Sequence, residues 1–296
     1  MYQIFNELVK VTVQKNGAEL CGISSVKNNT QFMWHADPSI WGSFAPNLFP
    51  VIGALKDNTY IFENKTYHMP KHGFIRHNTD IAVVNKTDNS ITFKLTYNQE
   101  LLKIYPFKCS YQISYTLENN LLIVNHEIIN LDEKPMYFNL GGHPAFKCPV
   151  YTDEKYTDYS LVFEQPETAE TYLLNTTNGL LTDQTKPVFN TPNKIDLHYN
   201  LFDNDALIFK DLKSRKVTLT SKTKGAVITV THTHFPHLGI WAKPHANYVC
   251  IEPWIGYADL ETTNQKITSK EGIIKLAPNS NFKASYCIEI HKAHLV

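Results

Sequence analysis

Apolar and polar residues alternate along most of the chain, in short runs separated by turns rich in asparagine, glycine and proline. Alternation with a period of two is typical of β-strands whose two faces have different surroundings. The sequence therefore predicts strands in many places. The clearest runs are 9–13, 81–84, 91–97, 109–117, 121–129, 216–220, 226–231, 248–252 and 282–290.

The connections between these runs indicate the fold class. The polar link 118–120 joins two of the longest runs, which predicts a hairpin. No window keeps apolar residues in helical spacing over three turns, so we expect few short helices, the best candidates being 39–42 and 201–203. Many strands with regular turns predict an all-β fold, a large antiparallel sandwich or barrel. Because no linker or repeat divides the chain, we expect one domain spanning 1–296.

Charge and composition narrow the choice of partners. The 296 residues contain 28 basic and 28 acidic side chains, and a balanced charge offers no field that would attract nucleic acid or a membrane surface. Only Arg76 and Arg215 are arginines, so bidentate grips on phosphate are scarce. Five widely spaced cysteines without a CxxC pair, and no apparent signal peptide, predict reduced thiols in a cytoplasmic protein.

Three segments interrupt the strand pattern with glycine, proline and ionisable residues, namely 70–77, 138–146 and 250–256. Each contains a candidate for proton transfer or binding: His72, His143 and Glu252 respectively. The Gly141–Gly142 pair predicts a close approach of the backbone to a ligand. Glu252 follows an apolar run and precedes a proline, which predicts a carboxylate at a partly buried rim with a raised pKa, suited to a general base.

Simpler interpretations of these residues are also open. A histidine after two glycines is often a hydrogen-bonded loop residue, and a glutamate before proline is often a solvated strand end. Trp41, Trp241 and Trp254 are either core residues or platforms for a sugar. The functional interpretation depends on the presence of a histidine, a glutamate, an arginine and loop aromatics together on a β scaffold.

Four motifs in these regions resemble the aldose 1-epimerases, also called galactose mutarotases. They are HGFIR at 72–76, GGHPAF at 141–146, DALIF at 205–209 and CIEPWIG at 250–256. The resemblance runs from about residue 5 to 290 and is strongest to the bacterial galactose-mutarotase-related branch found with lactose operons. It implies a one-domain supersandwich with a sugar site in an open cleft.

The resemblance also implies roles for individual residues. It places the catalytic acid at His143 and the catalytic base at Glu252. It implies that His72, Arg76 and Asp205 contact the substrate.

The implied activity is interconversion of the α and β anomers of a free aldohexose such as galactose or glucose. One carboxylate and one imidazole suffice for this ring opening, so neither a metal nor another cofactor is expected. Trp241, near the place where the family's best-known members have a glutamine, would back the apolar face of the sugar. The expected partner is a small-molecule sugar, and the protein is expected to be a monomer or homodimer.

Three other functions fit parts of the sequence. A hexose-6-phosphate 1-epimerase would use the same acid and base, with Arg76 and lysines holding the phosphate. A catalytically silent carbohydrate-binding protein would keep the aromatics and Asp205 without needing the acid–base pair. A metal-dependent β-barrel enzyme would use His232, His234 and His237, which lie close together in the sequence.

Overall fold

Residues 1–296 are all described by a computed structural model, which contains 24 strands, one α-helix and six short 3₁₀ segments. The first twelve strands are β1 (Tyr2–Phe5), β2 (Val9–Val13), β3 (Leu20–Ser25), β4 (Asn47–Leu48), β5 (Thr59–Phe62), β6 (Lys65–His68), β7 (Ala82–Lys86), β8 (Ser90–Thr96), β9 (Cys109–Glu118), β10 (Leu121–Asn130), β11 (Met136–Phe138) and β12 (Leu140–Gly142). The others are β13 (Ala145–Lys147), β14 (Tyr159–Phe163), β15 (Thr171–Leu174), β16 (Leu181–Lys186), β17 (Lys194–Asp196), β18 (Leu207–Phe209), β19 (Lys216–Ser221), β20 (Gly225–Thr231), β21 (His237–Trp241), β22 (Tyr248–Ile255), β23 (Ile274–Leu276) and β24 (Asn281–Ile290). The helix α1 is Gln99–Ile104, and the 3₁₀ segments are Asn16–Ala18, Lys56–Asn58, Ile75–His77, Tyr156–Asp158, Ile267–Ser269 and Lys292–His294.

Two large antiparallel sheets make up most of the structure, which confirms the all-β sandwich prediction. One has nine strands in the order β17-β14-β19-β20-β24-β10-β9-β8-β7. The other has eight strands in the order β16-β15-β18-β21-β22-β12-β4, with β13 also paired to β22. The smaller sheets are β1-β2-β3, β5-β6 and β11-β23.

The core lies between the two large sheets and contains one cluster of 71 buried apolar residues. The alternating pattern produces this core: in β10, Leu122, Val124, His126 and Ile128 are buried, while Ile123, Asn125 and Glu127 between them are more exposed. The sheets touch directly where Gly142 of β12 lies under the phenol of Tyr286 in β24. A single large cluster fits one domain, which stays a prediction.

The predicted hairpin is present, because β9 and β10 pair from Glu118 and Leu121 across the Asn119–Asn120 turn.

The helix predictions were wrong. Residues 39–42 and 201–203 lie in turns and irregular loop, whereas the only α-helix is α1. The helix α1 begins after Asn98, whose side chain accepts the N–H of Leu101 as an N-cap. No helix is long and apolar enough to cross a membrane.

Candidate active site

A cleft of about 450 Å³ lies against the eight-stranded sheet. Its floor comes from β15, β18, β21 and β22, and its walls come from the connecting loops. All six residues proposed from the sequence line it, although they are far apart along the chain: His72, Arg76, His143, Asp205, Trp241 and Glu252.

The strand β22 carries the glutamate of the cleft. Residues two apart in a strand share a face, so Cys250, Glu252 and Trp254 lie on one side of β22. Glu252 is only 1% exposed and is not at a strand end, because β22 continues through Pro253 to Ile255. The prediction of a partly buried rim was therefore wrong: the carboxylate is fully buried on the cleft floor.

The histidine of the pair lies between β12 and β13. The backbone N–H of His143 donates to the carbonyl of Pro46, which fixes the loop. Its Nε2 is 3.2 Å from Oε2 of Glu252. Apart from this contact the carboxylate oxygen has no polar partner, and Nδ1 of His143 has none, although both atoms are buried. Buried polar atoms without partners are rare, so these two atoms are candidates for contact with a ligand.

The two glycines before His143 serve the packing of the protein rather than a ligand. A Cβ on Gly141 would lie 2.9 Å from the carbonyl oxygen of Pro253 and from the indole of Trp254, and one on Gly142 would lie 2.6 Å from the Tyr286 hydroxyl. Neither glycine lines the cleft. The prediction that they let the backbone approach a ligand was wrong.

Burial shifts both members of the pair toward their neutral forms. It raises the pKa of Glu252 well above its ordinary value, because the enclosed floor solvates a carboxylate poorly. It lowers the pKa of His143 to about 3, and the positive charges of Arg76 and Lys71 act in the same direction. A carboxylic acid beside a neutral imidazole holds the same number of protons as a carboxylate beside an imidazolium.

His72 and Asp205 have backbone conformations that non-glycine residues rarely adopt, with φ of 69° and 73°. Such strained residues often occur at functional sites. Nδ1 of His72 accepts the N–H of Gly53 at 3.1 Å, and burial lowers the pKa of this histidine well below its ordinary value. The neutral ring therefore carries its proton on Nε2 and offers a hydrogen-bond donor.

Arg76 reaches the cleft from the 3₁₀ segment Ile75–His77, and its buried Nε has no partner. Burial lowers the pKa of its guanidinium, while the nearby carboxylate of Glu19 favours the charged form. Glu19 is itself buried and accepts the backbone N–H groups of Phe44 and Ala45 at 2.7 and 2.9 Å. Glu19 therefore links Arg76 to residues 44–46, where the carbonyl of Pro46 accepts the backbone N–H of His143.

We expect the Glu19→Gln protein to show an increase in KM of about 3–10-fold with a smaller change in kcat. Glutamine keeps an acceptor for the two backbone N–H groups but removes the negative charge near Arg76. Initial rates of anomer conversion measure the effect. Glu154→Gln is the matched control, because Glu154 is a buried carboxylate outside the cleft whose partners are the hydroxyls of Tyr159, Ser221 and Thr223, and a hydroxyl can accept as well as donate. An equal rise in KM in both variants would contradict this role.

Aromatic rings enclose the His143 side chain. Trp41 stacks on its imidazole with ring centroids 5.1 Å apart, and Trp241 meets it edge-on at 5.7 Å. Trp41 also stacks on Tyr248 at 5.5 Å. Trp41, Trp241 and Trp254 all line the cleft, and Trp254 is also 4% exposed and belongs to a small buried apolar cluster, so it serves the core as well.

Three charged residues of the cleft, Lys71, Lys243 and Asp203, were not predicted from the sequence. Trp41 and Trp254, for which core and sugar-platform interpretations were both open, add aromatic surface. Trp254 also contributes a buried indole N–H without a partner. Trp41 lies in a polar loop beside Pro38 and Gly42, which was a usable signal, whereas nothing in the pattern distinguishes Lys71 or Lys243 from other surface lysines.

The three histidines considered as metal ligands do not come together. Nδ1 of His232 contacts the carbonyl of Phe235, that of His234 contacts Ser285, and that of His237 accepts the N–H of Gly256. The only group of three or more histidine, cysteine or acidic side chains with metal-ligand spacing is His143, Cys250 and Glu252. The interpretation based on 232–237 was therefore wrong.

Known proteins resemble this chain over almost its full length. A profile of the family described as aldose 1-epimerase matches residues 1–274. The plasmid form of protein LacX from Lactococcus lactis subsp. lactis is 32% identical over 296 residues, covering 97% of this chain and 98% of that protein. A galactose mutarotase related enzyme from Lactobacillus acidophilus has a TM-score of 0.92 at 36% identity, covering 98% of this chain and 97% of that one. A galactose mutarotase-like protein from Lactobacillus casei ATCC 334 has a TM-score of 0.91 at 30% identity, covering 98% and 100%.

Proposed function

Because the chain belongs to the aldose 1-epimerase family, we propose that it interconverts the α and β anomers of a free aldohexose such as galactose or glucose. The observation that carries the proposal is the contact between His143 and Glu252, 3.2 Å apart on the floor of the cleft, with a carboxylate oxygen that has no other polar partner. The cleft volume of about 450 Å³ lies within the range of small-molecule sites.

Ring opening requires a base at the anomeric hydroxyl and an acid at the ring oxygen. In the proposed reaction, the carboxylate of Glu252 takes the hydroxyl proton while protonated His143 donates a proton to the ring oxygen. The bond between C1 and the ring oxygen breaks and an aldehyde forms. C1 then rotates about its bond to C2, and the ring closes on the opposite face with both proton transfers reversed.

The protonation state favoured by burial matches one stage of this cycle. After ring opening, Glu252 is a carboxylic acid and His143 is a neutral imidazole, which are the forms that their pKa shifts favour. The protonation state that burial favours is therefore the one that accompanies the open-chain aldehyde in the proposed cycle. Transfer of one proton from Glu252 to His143, which are in contact, prepares the pair for a cyclic substrate.

The remaining residues of the cleft would hold the sugar. In this proposal, His72 donates from Nε2 to a hydroxyl, Arg76 donates from its guanidinium, and Asp205 accepts hydroxyl protons. Trp241 covers the apolar C–H face of the ring. We place the reaction in the cytosol as part of the same proposal, supported by five cysteines that are all free thiols.

The charges that line the cleft bear on the choice between a free sugar and its 6-phosphate. Lys71 and Lys243 favour a phosphorylated substrate, because together with Arg76 they give the cleft three basic side chains. The acidic side chains of Asp203 and Asp205 offset them in the same cleft. We therefore propose the neutral aldose, with the 6-phosphate as the second candidate.

We expect kcat/KM for glucose or galactose to exceed that for the 6-phosphate by at least about tenfold, the effect of 1.4 kcal/mol. Acidic groups beside the lysines repel a dianion and leave the cleft without an excess of positive charge. Polarimetry of freshly dissolved anomers, with and without protein, measures the conversion of the free sugars, and an anomer-specific coupled assay measures that of the phosphates. A preference for the phosphate, or strong competition by millimolar inorganic phosphate, would favour the second candidate. No conversion of any aldose would favour a silent binding protein.

A further inference from the structure

Cys250 lies beside the proposed acid–base pair but has no part in the proton transfers. It is two residues before Glu252 on the same face of β22 and is 0% exposed. The sulfur of Cys250, a ring nitrogen of His143 and a carboxylate oxygen of Glu252 all lie within 4.8 Å of one another. These are the three ligand types that bind zinc most often in proteins.

We propose that His143, Cys250 and Glu252 form a binding site for a thiophilic divalent cation such as Zn²⁺, with the fourth position open to the cleft. Tetrahedral zinc with bonds of about 2.0–2.3 Å separates its ligand atoms by roughly 3.3–3.5 Å. The 3.2 Å between Nε2 of His143 and Oε2 of Glu252 already matches that spacing. The sulfur of Cys250 lies within 4.8 Å of the other two ligand atoms, so it would have to approach them by up to about 1.3 Å to reach the spacing of bound zinc.

The hydrogen bonding of Glu252 also fits a ligand at this place. Apart from its contact with Nε2 of His143, Oε2 of Glu252 is buried without a polar partner, and a metal ion would satisfy it. No other cluster of side chains in the chain offers three suitable ligands at this spacing.

The charge balance of the occupied site is favourable in a buried place. Zn²⁺ bound by one thiolate, one carboxylate and one neutral imidazole has a net charge of zero, so the desolvation cost of an unpaired charge is avoided. The thiol and the carboxylic acid each release a proton to solvent through the cleft as the ion binds. Lys71 and Arg76 oppose an incoming cation, but they face a neutral group once it is bound.

A metal ion bound at this site would block catalysis. This consequence rests on the proposed function, whereas the binding of the metal does not depend on it. The ion would occupy the atoms of His143 and Glu252 that transfer protons to and from the sugar. Metal and aldose would therefore compete for the same place. The site would make the activity sensitive to zinc without making the enzyme metal-dependent.

The first experiment measures binding directly by titrating the chelator-treated full chain with Co²⁺, followed by absorbance. We expect one equivalent of Co²⁺ to produce a sulfur-to-cobalt charge-transfer band and visible bands of tetrahedral cobalt. The band should persist in Cys109→Ala, which removes a buried thiol away from the cleft, and should be lost in Cys250→Ala. Cys250→Ser, which retains more of the side-chain volume, replaces the alanine variant if that variant does not fold. No band in the parent protein, or an equal band in the Cys250 variants, would overturn the proposal.

The second experiment titrates Zn²⁺ against initial rates of anomer conversion. We expect inhibition of the parent and of Cys109→Ala that weakens as the sugar concentration rises. In the Cys250 variant, the Zn²⁺ concentration for half inhibition should increase at least tenfold. Equal inhibition in all three proteins would contradict the site. If the protein converts no aldose, the cobalt band still decides whether the metal site exists, so failure of the proposed function and failure of this inference are distinguishable.

Discussion

We expect the Glu252→Gln protein to fold normally and to show a decrease in kcat of about 10²–10⁴, with a much smaller change in KM. Glutamine has the shape of the carboxylic acid form that burial favours, but it cannot accept the proton of the anomeric hydroxyl. Thermal stability should change little, because a buried neutral amide replaces a buried group that is already biased toward neutrality. Polarimetry of a freshly dissolved anomer measures the rate, and thermal unfolding measures the stability.

His143→Asn tests the other half of the pair and should also lower kcat by about 10²–10⁴. The two groups exchange protons in one cycle, so the double variant should lose far less than the product of the single losses. Glu154→Gln serves as the control for replacing a buried glutamate away from the cleft, because its partners are hydroxyl groups. A folded Glu252→Gln protein that equilibrates anomers at the parent rate would remove Glu252 as the base and the mechanism with it.

Strands could be predicted from the sequence wherever their two faces differ in environment. Val9–Val13 and Cys109–Glu118 show clear alternation because one face packs in the core and the other is more exposed. The strand β22 is buried on both faces, so alternation could not indicate how far it extends beyond Glu252. Pro253 suggested a strand end, yet this residue lies within the strand opposite Leu238. That error moved the glutamate to a rim in the prediction.

The short helix Gln99–Ile104 was missed because it spans fewer than two turns, too few for a helical period to become visible. Its start was still readable, since asparagine is a preferred N-cap residue and Glu100 places an acidic side chain in the first turn after Asn98. Local capping is a better signal than periodicity for helices of this length.

Five of the six proposed cleft residues came from motifs and Trp241 from its position in the resemblance, and the structure brings all six together. What motifs could not reveal is which neighbours share the cleft through tertiary packing. Trp41 reaches His143 only because the loop containing it folds over β13 and β22, where the backbone N–H of Trp34 donates to Ala145. Likewise, the glycines before His143 looked like a ligand contact, but their true neighbours, Trp254 and Tyr286, come from distant strands.

The Gly73→Ala substitution should lower the free energy of unfolding by about 4 kcal/mol or more, which is the range of exceptional single substitutions. Gly73 has a φ of 77°, a conformation that costs an alanine about 1–2 kcal/mol. In addition, a Cβ would lie 2.1 Å from the carbonyl oxygen of Phe49. That oxygen cannot move freely, because it accepts the backbone N–H groups of Phe74 and Ile75.

Gly225→Ala separates the two costs, because Gly225 has a φ of 73° but no atom within 4 Å of the position that a Cβ would take. We expect this control to lose only about 1–2 kcal/mol. Urea denaturation with a common m-value compares the midpoints of the two variants. Because Gly73 directly follows His72, any Gly73→Ala protein that does fold should also bind sugar more weakly, whereas Gly225→Ala should not. Equal midpoints for the two variants would show that the carbonyl of Phe49 yields readily, and that the 72–76 segment is not held rigidly against the cleft.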